Sequence, residues 1–195
     1  MKYTQVAADA FQKLQLNAGI LLTEFNPTTG SYSRNNIFAA TSGGNSFSAT
    51  PEYIDFGEDI DNVPNNTKEL KKQQSVEVKL SGTAKTLDTA SAKMLIGACD
   101  VEGGKLTPRT DLLSEDFSDI WWVGDYSDVN DEENGGYVAI HVMNALNTSG
   151  FSLKSNDEGK ADIAFEFTGH YSLEDITVVP FEVFIESGSS SSSGA

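Results

Sequence analysis

The chain has 195 residues, 38% of them hydrophobic and 22% charged, which is enough for one domain with a sizeable core. Thirteen Lys and Arg against 29 Asp and Glu leave a formal net charge of -16, a balance that argues against a groove built to neutralise phosphates. The one cysteine, Cys99, excludes an intrachain disulfide and fits a reducing compartment.

Residues 1–16 mix Lys2, Asp9 and Lys13 with short apolar groups, so no signal peptide is expected, and residues 8–14 suit a helix. The longest apolar clusters, at 19–22 and 120–123, are too short to cross a bilayer as helices. Strands are expected near 18–25 and 45–56. From Val76 the pattern sharpens: Val76, Val78 and Leu80 alternate with Glu77, Lys79 and Ser81, the period of a half-buried strand. Asp88 offers a cap for a helix over 89–99, in which Ala92, Leu95, Ile96 and Cys99 form one apolar stripe and Gly97 is tolerated.

Further strands are predicted at 119–127, around Trp121 and Trp122, and at 137–146, with Val138, Ile140, Val142 and Leu146 on one face. A short strand at 151–155 and a long one at 161–171, grouping Ile163, Phe165, Phe167 and Tyr171, continue an antiparallel meander. The last strand, 178–186, sets Phe181, Val183 and Ile185 against Glu182, Phe184 and Glu186, and Pro180 marks an edge or bulge. Residues 26–44, 57–74, 102–118 and 125–136 read as long connections of the kind that a partner orders. The organisation is thus a single domain over 1–186 and a flexible Gly/Ser tail over 187–195. The expected fold is mainly β, an antiparallel sandwich or partial barrel with one short helix and long loops.

Catalytic motifs do not assemble. Gly97 and Gly104-Lys105 lack the spacing of a phosphate loop, and Leu106 stands where Ser or Thr is needed. Cys99 lies on the apolar stripe, and His141 and His170 fall on the polar sides of strands without metal-ligand spacing. Asp125, Asp128, Asn130, Asp131, Glu132 and Glu133 are oxygen-rich but lack the turn glycine and final glutamate of a calcium loop, so they read as a solvated hairpin tip. Adjacent strand residues point to opposite faces, so Trp121 and Trp122 cannot form one stacking platform; one is expected in the core and the other at an interface. No enzyme, cofactor or metal is expected.

Five segments carry a resemblance: LNAGILLTEF (16–25), GGNSFSATPEYIDFGEDID (43–61), NNTKELKK (65–72), DFSDIWWVGDYSD (116–128) and FEFTGHY (165–171). Together they resemble the major tail protein, or tail tube, family of long-tailed phages and prophages of Gram-positive bacteria. That resemblance implies a subunit that assembles in the host cytoplasm into stacked rings, usually hexameric, around a channel for DNA ejection. It also implies tape measure and tail terminator proteins as partners in the virion tail, with DNA passing without sequence-specific binding. Strand alternation turns Glu77, Asp162 and Glu166 outward, and within such a ring they are expected to line the lumen; Trp121 and Trp122 are the candidates for the interface anchor. The competing readings are a carbohydrate-binding or adhesin-type β-sandwich using the tryptophans and the acidic loop, and a small carboxylate hydrolase.

Overall fold

A computed structural model describes residues 6–7, 10, 13–15, 17–125 and 135–187. The helix expected at 8–14 and the acidic stretch 126–134 lie wholly or mostly outside them, as do residues 188–195 of the tail. Ten strands and one α-helix follow in chain order: β1 (Ile20–Leu22), β2 (Ile37–Ala39), β3 (Thr41–Asp55), β4 (Lys71–Ala84), α1 (Thr89–Ile96), β5 (Cys99–Glu102), β6 (Lys105–Pro108), β7 (Ser118–Asp125), β8 (Tyr137–Asn147), β9 (Ile163–Gly169) and β10 (Phe181–Glu186). The protein is therefore mainly β, and every strand pairing is antiparallel.

The strands run β2-β1-β7-β8-β9-β4-β3, with β10 also on β8 and β5-β6 as a separate hairpin. The two ends, β2 and β3, are not joined, so the sheet is not closed into a barrel. β8 belongs to both halves. Its first part, Tyr137 to Val142, lies between β7 and β10, whereas Leu146 and Asn147 pair with β9. The halves fold onto one core in which Leu21 and Phe38 meet Val78, Leu80, Phe165 and Phe167. The Phe38 ring sits edge-on to Phe165 and Phe167, with centroids 5.8 and 5.4 Å away.

Val76, Val78 and Leu80 are buried and Glu77 is exposed, as the alternation requires. Asp88 caps α1 through Ser91, and Leu95 enters the core. The helix stops sooner than the apolar stripe suggests: Gly97 takes φ +80° and ends it, and Cys99 opens β5, still buried. Buried Asn147 anchors the helix end, its Nδ2 donating to Leu95 O at 2.6 Å while its Oδ1 accepts Glu166 N–H at 3.1 Å.

Several predicted elements change. The stretch 26–44 contains β2 and the start of β3, and 102–118 contains β6 and the end of β5; both strand sets are too short or too polar to show a period. Residues 151–155 supply only a bridge from Lys154 to Asp162, and Phe151 is exposed. Tyr171 lies beyond β9, where its hydroxyl accepts Val76 N–H at 2.8 Å. In β8 the alternation breaks at Asn144, whose φ is +48°, so that Ala145 and not Leu146 joins Val142 in the core. In β10, Val183 and Ile185 are exposed while Phe184 packs beside Trp121.

Candidate functional site

Two surfaces carry the residues singled out in the sequence. One is the outer face of β3, β4 and β9. The register places Ser48, Lys79 and Thr168 in one row and Ser46, Ser81 and Glu166 in the next, with Thr50 beside Glu77. These side chains share a face because each strand contributes alternate residues to it. It is a surface of short hydroxyls with a few charges.

Those charges are internally matched. Lys79 Nζ lies 2.7 Å from Glu77 Oε1 and 3.9 Å from Glu166 Oε1, and the hydrogen bond to Glu77 leads the causes that raise the lysine pKa. Asp162 stands four residues from Glu166 along the chain, roughly 13 Å at strand rise. It pairs with Lys85 and accepts Asn156 Nδ2–H at 3.1 Å; the Lys85 contact is the main reason its carboxyl is held below the usual range. Glu77 and Glu166 thus meet around one lysine, and Asp162 occupies a second site with another. Lys79 was legible as an alternating residue, but its pairing required the strand register, and Lys85 was not singled out at all.

The second surface is the outer half of the β3-β4 hairpin. β9 pairs with β4 only from Val78 onward, so Glu52–Asp55 and Lys71–Ser75 pair with each other alone and form a two-stranded ribbon. Its end is framed by Asp55, whose Oδ1 accepts Gly57 N–H at 2.9 Å and Oδ2 accepts Asn66 N–H at 2.6 Å. These amides, Asn66 first, lower the Asp55 pKa. Tyr53, Ile54, Phe56 and Ile60 are exposed on this ribbon and its end, Phe56 by 58%. Ile60 lies within 57–74, but the other three sit in and beside β3, where Tyr53 and Ile54 point to opposite faces of the ribbon.

No family model and no curated protein matches the chain.

The remaining candidates resolve one by one. Trp121 is buried, one ring face stacked on His141 at 3.9 Å and 6°, with Phe25 and Phe184 beside it. Trp122 is half-buried on the opposite side of β7 and donates Nε1–H to Ala18 O at 3.0 Å. A Cβ on Gly19 would fall 2.6 Å from Trp122 Nε1, so this close approach requires glycine there. Neither indole is an open platform for a sugar. His141 is not on a solvated face: β8 is covered on both sides, and the ring lies against Trp121. His170 is also partly buried, its Nδ1 3.1 Å from Asn144 O and its ring edge-on to Phe117. Burial pushes the Cys99 thiol pKa up, away from the thiolate a nucleophile needs. A cleft of about 440 Å³ beside Gly19 and Tyr137 has Asp125 as the one carboxylate among its described lining residues. Among the described residues no group of three or more His, Cys, Asp or Glu is arranged to hold a metal, and no helix is long and apolar enough to cross a membrane.

Proposed function

We propose that the chain is a structural subunit that self-assembles into stacked rings of a phage tail tube, with no catalytic role of its own. The observation that carries this reading is the β3-β4 ribbon. An isolated two-stranded ribbon is marginal in water, and this one also leaves Tyr53, Ile54, Phe56 and Ile60 exposed. A neighbouring copy that covers these side chains stabilises the ribbon. Among the described residues no strand pairs with the outer edges of β2 and β3, which supply further sites for strand pairing between copies.

In this arrangement the hydroxyl-rich face of β3, β4 and β9 turns to the channel. Glu77, Glu166 and Asp162 repel phosphates within a Debye length of about 10 Å. Lys79 and Lys85 are engaged by those carboxylates and so are poor anchors for the DNA backbone. A wall of this kind lets DNA slide without binding it.

The test is sedimentation velocity with negative-stain microscopy over a wide concentration range. The wild-type chain is expected to form rings or tubes, whereas the combined substitution Ile54→Asp and Phe56→Asp leaves a folded monomer with its melting temperature nearly unchanged. A wild-type chain that stays monomeric up to millimolar concentration, or a doubly substituted chain that assembles normally, overturns the proposal.

A further inference from the structure

His141 occupies the centre of β8 with Trp121 of β7 as its partner on one side and Glu182 of β10 on the other. Its Nε2 is 3.1 Å from Asp119 Oδ2 and its Nδ1 is 3.4 Å from Glu182 Oε2. The ring is 12% exposed and lies flat on the Trp121 indole. Asp119 is fixed from a second direction, since its Oδ1 accepts Asn144 N–H at 3.0 Å, the amide of the residue that breaks the β8 alternation.

The hydrogen-bond inventory of this cluster is lopsided. An ionised carboxylate only accepts, and a neutral imidazole has one N–H and one lone pair. Both contacts are therefore hydrogen bonds only when both ring nitrogens carry protons; in a neutral ring one lone pair faces a carboxylate oxygen. The indole face beneath also attracts a cation. Asp119 remains a carboxylate across this change, because the hydrogen bond from His141, aided by the Asn144 amide, holds its pKa below the ordinary value. Among the described residues the groups packed beside the stack are apolar: Leu22 and Phe25 pack on Trp121, and Phe184 flanks it from β10. Glu186 shares the Glu182 face of β10 but is paired with Tyr137, four residues further along β8.

We propose that His141 is a proton-operated clamp that ties β10 to β7 across β8. With both nitrogens protonated, the ring holds Asp119 and Glu182 at once. With one proton it keeps Asp119, the shorter contact, and lets go of Glu182, the longer one, so that β10 depends on its backbone pairing with β8. The clamp operates within a single chain and does not rest on the tail tube reading.

Amide hydrogen exchange at 182–186 tests it, measured by NMR on dilute full-length chain at about pH 5.5 and about pH 8 and corrected for intrinsic exchange. Protection in β10 is expected to fall about two- to five-fold at the higher pH, the scale of a half-exposed ion pair. His141→Gln is expected to abolish this dependence. Glu182→Gln tests the same point without touching the Trp121 stack: its amide accepts from a protonated Nδ1 or donates to a bare one, so β10 protection becomes flat with pH. A wild-type chain with no pH dependence in β10, or a Glu182→Gln chain that keeps it, overturns the clamp. His170→Gln is expected to leave the dependence intact, and its loss in that variant would assign the effect to the wrong histidine.

Discussion

Asp88 begins α1 with a reciprocal pair of contacts: its Oδ1 accepts Ser91 N–H at 2.7 Å and Ser91 Oγ–H at 2.8 Å, and Ser91 Oγ accepts Asp88 N–H at 2.9 Å. The Ser91 amide, followed by its hydroxyl, lowers the carboxyl pKa. A depressed folded value means that the stabilisation is present in full above the unfolded value of about 3.9 and is lost as pH falls through the folded one. Asp88→Ala is expected to cost about 1 kcal/mol in urea unfolding at neutral pH, with the difference from wild type shrinking in acid, and Asp88→Asn to cost far less because the acceptor remains. At this scale the sequence was readable where one residue acts on its near neighbours, as Asp88 does. It was not readable for His141, whose stacking partner and two carboxylates come from other strands and depend on a register that no local pattern encodes.

The β3-β4 hairpin makes the same point for elements. Its inner half was plain from the alternation of Val76, Val78 and Leu80, because one face is buried and the other is not. The outer half has no buried face within the chain: its β3 side fell inside the strand expected at 45–56, but on the β4 side alternation had nothing to report and the strand start at Lys71 passed as loop. β2 and the β5-β6 hairpin are three or four residues per strand, shorter than a period can establish. β8 misled for another reason: the positive φ of Asn144 shifts the pattern midway, and Leu146 changes sides. The lumen assignment of Glu77, Asp162 and Glu166 used parity alone, which gave their common face but not their lysine partners. Because residues 57–70 bury few side chains, their amides are expected to exchange quickly in the monomer and at least ten-fold more slowly after assembly, a contrast that hydrogen-exchange mass spectrometry would read. Equal protection in the two states would remove the ribbon from the interface.

For the molecule as a whole, charge and apolar surface act in opposite directions on association. Each copy carries a formal charge of -16, and copies brought together repel. Screening shortens that repulsion from about 10 Å at 0.1 M salt to about 3 Å at 1 M while leaving the exposed apolar side chains of the ribbon as they are. Added sodium chloride is therefore expected to lower the concentration at which assembly begins, as followed by light scattering. Assembly that weakens with salt would point to ion pairs as the dominant contact between copies.

The strand order also constrains how a new chain matures during synthesis. β3 and β4 are neighbours in sequence, but the other flank of β4 is completed by β9, with Val78 opposite Gly169 and Ala84 opposite Ile163. At roughly 5–20 residues per second, β9 leaves the ribosome several seconds after β4. During that interval β4 has an open edge whose Val78 and Leu80 have no cover from Phe165 and Phe167. A nascent neighbour on the same message presents the same edge at the same time. The order of translation thus exposes half-made chains to strand pairing with one another before β9 arrives.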